Sequence, residues 1–584
     1  MGILNLLLLT ITLFLPLLLL SSTAYNVGDH VPLFVNKVGP LHNPSETYQY
    51  YEMPFCRPDR ILEKKETLGE VLNGDRLANA LYELEFAVNK TGVVLCNRKL
   101  DRGNVAKFRA AIMNDFYFQM YYDDLPFWAF IGKVEDESWG VDGKGPKYFL
   151  FKHVQFDALY NGNQVIEIRA FGDPSHVLDV TEDVDLDVEF IYSVLWNDIS
   201  TPYKNRMDRY SQTSMMPILR KTRWFSCVNS IVMIILIMGL LAVLFMRHLK
   251  NDLRKWSVGD EEEDKEVGWK YIHGDVFRCP TNLPVFCAVL GSGTQLLTLV
   301  FALFILAFLG ILYPYNRGAL STAIFAVYTL ASAVAGYSSA SFYSQFVETG
   351  WQRSILLAGV LFTGPFLFTV FILNSLAIYF GVTAALPFGT IFVIFVIYTL
   401  VAIPLFALGG MVGHHYKSEF LATSVTKKYR REIPSLPWYR KIPAEMFLGG
   451  LLPFSATVLE FHHLCATIWG YKISTLPTIL FITFASLVIL TAMLSVCLTF
   501  FQLAVEDHEW WWRSVLRGGS TAIFMFAYCI YLYFKSNMSG VLQTFFFFGY
   551  SACMCYAFFL MLGALSFRAS LMFVRHLYRG VKSE

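Results

Sequence analysis

Charged side chains are scarce in this chain: Asp, Glu, Lys and Arg make up 16% of its 584 residues, against 55% hydrophobic ones. That balance is too apolar for an ordinary soluble protein. Beyond residue 223, whole stretches such as 225–246 and 286–312 carry no charge at all. The formal net charge of +1 gives no case for a polyanion, and no nucleic-acid partner is expected. Cysteine is thin wherever it could crosslink. Of ten, only Cys56 and Cys96 lie in the polar N-terminal third. A glycine-rich phosphate loop, a helical His-Glu-x-x-His and a credible nucleophile triad are all missing, so neither an enzyme nor a cofactor is expected.

The chain opens on "MGILNLLLLTITLFLPLLLLSSTA". An apolar run ending in the small residues Ser22-Thr23-Ala24 suits signal-peptidase cleavage before Tyr25, so residues 1–24 are assigned as a signal peptide. A basic leading segment is absent, and a retained anchor is the alternative. Delivery to an oxidising lumen would make Cys56–Cys96 the internal disulfide available to the N-terminal region, with two buried thiols as the alternative.

Residues 25–223 contain no segment able to cross a bilayer, and their pattern is strand-like. "KYFLFKHVQFDALYNGNQVIEIRAF" sets two β-rich runs on either side of Asn161-Gly162, a turn pair that tolerates positive φ. "DFYFQMYY", "WAFIGKV" and "VDLDVEFIYSV" add further strands, and "RILEKKETLGEVLNG" reads as a short helix. A β-rich, sandwich-like lumenal domain is expected here. Asn89-Lys90-Thr91 is a glycosylation sequon, usable only if the domain is lumenal.

From residue 224 to 584 the chain reads as a transmembrane domain. Apolar runs near 225–246, 286–312, 318–340, 354–380, 388–412, 446–468, 477–501, 519–534 and 541–567 predict nine helices by the rule of about 20 apolar residues per crossing. With the N-terminal domain outside, the cytosolic loops and tail hold about twenty Lys and Arg and the opposite short loops about three, as cytoplasmic enrichment requires. Arg220, Lys221 and Arg223 dissent, but long translocated domains largely escape the charge rule. An odd number of crossings leaves the C-terminal "RHLYRGVKSE" in the cytosol. There Lys582 and Glu584 would offer charges at fixed spacing as a sorting signal.

Polar groups inside the runs are few enough to weigh singly. In "LEFHH", Glu460 and His463 are three apart and share a helix face. Glu-x-x-His is half of a di-iron carboxylate pattern. A second such motif is missing from the spans, and Glu506, Asp507 and Glu509 fall towards the opposite side, so no di-metal site is expected. Two readings of Glu460 stand: a hydrogen bond to a neighbouring helix, or membership of a proton or ion path. His462, His463, His414 and His415 are types that ligate copper or zinc, or plain interface polar groups; no metal site is assigned. "EDHEWWWRS" combines Glu506, Asp507, Trp510, Trp511, Trp512 and Arg513. Tryptophan concentrates at membrane boundaries, which predicts a cytosolic interface anchor facing both lipid and protein, with Asp507 or Glu509 paired to Arg513; a partner-binding surface is the alternative. Small-residue stretches ("AVLGSGTQ", "ASAVAGYSSAS", "ALGGMVG", "LGGLLP") permit close helix approach.

Several stretches together resemble the nonaspanin family, or transmembrane nine superfamily. They are "YQYYEMPFC", "MYYDDLPFWAFIG", "IPSLPWYRKIP", "FQLAVEDHEWWWRSVLRGGSTAIF" and the Lys-x-Glu end. The likeness covers essentially the whole mature chain and is strongest towards the shorter members. It implies a Golgi and endosome membrane protein with a large lumenal domain and a cytosolic tail read by the COPI coat. The implied role is in trafficking and localisation of other membrane proteins, notably clients with glycine-rich spans. The alternative is an ion, metal or small-molecule transporter built on the intramembrane Glu and His. Arg568 departs from the family pattern and is expected to snorkel to the cytosolic interface at the end of the last span.

Overall fold

The structure, a computed structural model, describes residues 24–135, 146–206, 220–257, 269, 272–312, 317–416, 432–435, 437–469 and 477–579. The expected signal peptide, apart from Ala24, and the sorting residues Lys582 and Glu584 lie outside these described residues.

In the N-terminal domain, strands Leu33–Pro40, Phe116–Tyr122 and Leu125–Phe130 lie side by side in a five-stranded antiparallel sheet. A four-stranded sheet runs in the order Gln164–Gly172, His153–Asn161, Leu186–Asp198, Lys90–Leu100. Val35, Met120 and Phe127 from the first sheet and Phe156, Ile168 and Val194 from the second fill one core. That is the sandwich arrangement, each strand sending alternate side chains inward. The hairpin turn falls at Asn161-Gly162, with Gly162 at φ +61°. The short helix forms over Leu68–Leu72, started by a capping box of Thr67 and Glu70. A second helix, Arg102–Met113, is capped by Asp101 and buries Val105, Phe108 and Ile112. Cys56 and Cys96 form the disulfide, tying the segment after Tyr50–Glu52 to strand Lys90–Leu100.

Among the described residues, nine helices are long and apolar enough to cross a membrane: Val228–Asn251, Leu283–Phe308, Ala319–Tyr343, Trp351–Phe380, Phe388–His415, Ile442–Ile468, Thr478–Leu503, Trp510–Lys535 and Val541–Arg579. They are called spans one to nine below. Spans two and nine are the most enclosed, with 61% of the residues in their most apolar stretch buried, whereas in span five the share is 11%, which puts much of it at the periphery.

Two expected boundaries are corrected. Span eight starts at Trp510, not near 519, because the tryptophans are themselves helical and pack inward. Span nine continues past Arg568 to Arg579. Arg568 does not close the helix: its guanidinium donates to Ser338 Oγ and to Thr294 Oγ1 (3.1 Å) on neighbouring spans.

The small residues are consumed by the bundle's own packing. A Cβ on Gly413 would lie 2.6 Å from the Tyr337 carbonyl oxygen and one on Gly291 2.9 Å from that of Ala335. A Cβ on Gly336 would overlap the Phe406 carbonyl. Spans three and five therefore meet backbone to backbone.

The domain docks on one end of this bundle. Arg317 reaches Glu70, Thr383 N–H donates to Thr47 O (2.8 Å), and Arg76 Nη2 donates to Ala385 O (2.8 Å). Ser45 N–H donates to Gln543 Oε1 (3.0 Å) and Ser539 N–H to Asn43 Oδ1 (3.0 Å). These contacts fall after spans two, four and eight and at the start of nine. Spans two, four, six and eight thus start on the far face, where span nine also ends.

Candidate functional site

A polar pocket opens at the far face between spans one, six, seven and eight. Its cavity of about 250 Å³ is lined by His248, Arg440, Glu445, Gln502, Asp507 and Arg513, with apolar walls that include Leu498 and Phe501. Each charged group is placed by local sequence. Pro443 sits in the first turn of span six, where proline's missing N–H costs nothing, and Glu445 follows in that same turn. A carboxylate there is favoured by the unpaired N–H groups of the helix start.

Glu445 meets Arg517, which is 2% exposed in the interior of the bundle. The Arg517 guanidinium donates to Glu445 Oε2 from Nε (3.1 Å) and from Nη2 (2.7 Å), and to Thr499 Oγ1 from Nη1 (3.3 Å). Nη2 also donates to Gln502 Oε1. Gly449 makes the approach possible, since a Cβ there would lie 3.0 Å from the Arg517 carbonyl oxygen. From Thr499 the polar chain continues through hydroxyls to Ser570 (2.9 Å) and Ser495 (2.7 Å), and Ser495 donates to the Ser566 carbonyl (3.0 Å). A charge in a low-dielectric interior persists only when paired and hydrogen-bonded, and this one is.

The turn between spans seven and eight supplies the rest. Asp507 is fully buried, accepts from Glu509 N–H (3.0 Å) and pairs with Arg513 Nη1 (2.6 Å). Glu506 holds φ at +66°, a left-handed conformation that L side chains rarely take. Trp510 and Trp511 are buried, and both indole N–H groups donate to the Val276 carbonyl (3.0 and 3.2 Å). Trp512 donates to Thr281 O (2.9 Å). Trp510 and Trp511 stack on each other and on Phe567 of span nine. Trp510 and Trp511 face the protein while Trp512 stays partly exposed, and all three hold the 272–282 segment against spans eight and nine. The Asp507–Arg513 pair expected from the motif is present.

The other sequence candidates lie elsewhere. Glu460 is buried in the domain-proximal half of span six, and His462 Nδ1 lies 3.1 Å from Tyr528 Oη on span eight. His414 Nδ1 contacts Ser344 Oγ (2.8 Å) and stacks on Trp351. Neither histidine pair belongs to a three-ligand grouping among the described residues. Asn89 is exposed, its Oδ1 accepting from Trp196 N–H (2.6 Å). Glu445 and Arg517 were missed from the sequence. Each lies just outside the apolar run that the sequence marks for its span, 446–468 and 519–534, and falls inside a helix only with the longer spans Ile442–Ile468 and Trp510–Lys535.

Comparison with known proteins follows the same architecture along its length. The chain matches the family described as Endomembrane protein 70 over residues 47–541. It is 55% identical over 565 residues to transmembrane 9 superfamily member 5 of Arabidopsis thaliana, covering 97% of this chain and 96% of that protein. Member 2 from the same plant is 54% identical over 567 residues, at the same coverage. Member 1 of Bos taurus is 40% identical over 575 residues, covering 96% and 95%. No solved structure matches at a significant level. With nine crossing helices, a strand-built N-terminal domain and relatives that align from end to end, the chain belongs to the transmembrane 9 superfamily of multi-pass endomembrane proteins.

Proposed function

We propose that the protein is a non-enzymatic sorting factor of Golgi and endosome membranes. It holds other membrane proteins against its bundle and is itself retained through its tail. In this reading the N-terminal domain is lumenal, the tail cytosolic, and Lys582 with Glu584 are read by a COPI-type coat. The observation that carries it is parity. The helix leading to the tail ends at Arg579 on the face opposite the docked domain, and the Lys and Arg of the loops concentrate on that same face.

Client contact falls to the lipid-facing spans, because the small residues are already filled from within. Leu367, Phe368 and Phe371 on span four and Phe392 and Phe395 on span five project outward. A client helix rich in glycine would offer these side chains a shallow groove, so van der Waals contact can replace lipid contact. Two experiments test the reading. A reporter fused to the tail should leave the Golgi when Lys582 and Glu584 become Ala. Pull-downs should lose clients when the outward residues of spans four and five become Ala. An unchanged location together with unchanged clients would sink it.

A second reading, transport of an ion or small solute, is favoured by the pocket beside the Glu445–Arg517 pair. Flux through purified protein in liposomes, lost in folded Glu445→Gln or Glu460→Gln protein, would move the assignment there.

A further inference from the structure

We infer that the N-terminal domain carries a binding site for a zinc-class divalent metal ion, built from His153, Asp173 and His176. One nitrogen from each imidazole and one carboxylate oxygen all lie within 4.8 Å of one another, the sole such three-ligand grouping among the described residues. Sheet register brings them together. His153 opens its strand, and Asp173 immediately follows the antiparallel strand Gln164–Gly172, with Asp173 N–H donating to His153 O (3.0 Å). The turn Asp173-Pro174-Ser175-His176 then folds His176 back, its N–H bonded to Asp173 O (3.2 Å).

The carboxylate is divided between two tasks. Oδ1 accepts from Ser175 N–H (2.9 Å) and Ser175 Oγ (2.6 Å), which fixes its orientation. Oδ2 faces both rings, 3.0 Å from His153 Nδ1 and 2.7 Å from His176 Nδ1. These bonds hold Asp173 well below the usual carboxylate range, the Ser175 hydroxyl contributing most. A tetrahedral ion with bonds of about 2.0–2.1 Å separates its ligand atoms by roughly 3.3 Å. The ring nitrogens therefore need to retreat from Oδ2 by roughly 0.3–0.6 Å, and the 4.8 Å spread of the group must close by up to about 1.5 Å as the His176 ring swings in. Exposed His176 has the freedom to do so.

An outer partner is already in place for the buried ring. His153 Nε2 lies 2.8 Å from Ser193 Oγ, which also accepts from Gly92 N–H (3.0 Å). With its proton on Nε2, donated to Ser193, His153 presents the Nδ1 lone pair to the ion, as ligand histidines do. The same Ser193–His153–Asp173 line has the connectivity of a nucleophile relay. Ser193 is buried, however, and its oxygen is occupied by a backbone donor, so it orients the ring. Two nitrogens and one oxygen select a borderline metal over calcium or magnesium, which take oxygen ligands. Three protein ligands leave a fourth position open to solvent beside His176.

The test uses full-length protein in detergent, stripped by chelator and titrated with Zn²⁺ and, for its ligand-field spectrum, Co²⁺. Wild type should bind one ion per chain with tetrahedral Co²⁺ absorption, His176→Ala should lose it, and Ser193→Ala should weaken it about 10–100-fold. His415→Ala, on the far face, should bind as wild type. Because His176 lies exposed on a turn, thermal unfolding of the metal-free variant should match wild type. Wild type without a stoichiometric ion, or binding unaltered by both His176→Ala and Asp173→Asn, overturns the site.

Discussion

Arg317 grips Glu70 across the joint between the β-rich domain and the helical bundle, Nε and Nη2 donating to one carboxylate oxygen at 3.1 and 2.7 Å. The guanidinium also lies over the Tyr121 ring, 4.8 Å from its centre. Charge-assisted hydrogen bonds of this kind contribute about 1.5–3 kcal/mol each. Arg317→Ala and Glu70→Ala are each expected to lower the melting temperature, and the double variant to lose little more than either single one. A thermal-unfolding double-mutant cycle with additive losses would show the two do not act as a pair.

Deep in the bundle the expectation differs in size. Arg517→Met strands the Glu445 carboxylate without its partner, a change that costs about 3–5 kcal/mol for a buried pair. Adding Glu445→Leu removes the stranded charge and should recover much of the loss. Expression and detergent melting of the two proteins measure this directly.

Glu66 lies at the same joint, where burial pushes its carboxyl pKa up and the Leu77 N–H (2.6 Å) pulls it partly back. An acid whose pKa is higher folded than unfolded binds its proton more tightly when folded. Its ionisation therefore weakens the fold above the folded value, and that penalty disappears as pH falls through the unfolded one. Glu66→Gln keeps an acceptor for Leu77. It should be more stable than wild type at neutral pH, the gap closing towards pH ~4. A gap that persists in acid would contradict the assignment.

Helix contacts can be probed at two glycines of contrasting surroundings. Gly336→Ala drives a methyl into the Phe406 carbonyl and should cost about 1–3 kcal/mol by overpacking. Gly389→Ala meets open space within helix Phe388–Ile397 and should leave melting unchanged or slightly raised.

Asn89→Gln should abolish an endoglycosidase-sensitive mobility shift, while a tag after Glu584 should be digested by protease added outside intact vesicles. Finding the glycan and the tag protected together would reverse the assigned sides.

Much of the architecture was legible because it follows from local rules. Uncharged runs name the spans, and Asn161-Gly162 names the hairpin, since each signal sits within a few adjacent residues. The start of span eight was not: three successive tryptophans read as a boundary belt, and only the Val276 carbonyl, more than 230 positions away, shows them turned inward. Arg568 similarly reads as a chain end until Ser338 and Thr294 are seen beside it. Glu445 and Arg517 become a pair only once spans six and eight are neighbours. His153 and His176 converge through strand pairing that no spacing rule encodes.

Span nine has a further consequence. Its helix counts 39 residues, about 58 Å at 1.5 Å each, nearly double the ~30 Å hydrocarbon thickness. Gln543 in its opening turn holds the Ser45 amide, and Tyr578 in its closing turn donates to the Trp269 carbonyl. One unbroken rod is thus fastened at both extremities. The N-terminal domain and Trp269 are thereby held to opposite ends of one continuous helix.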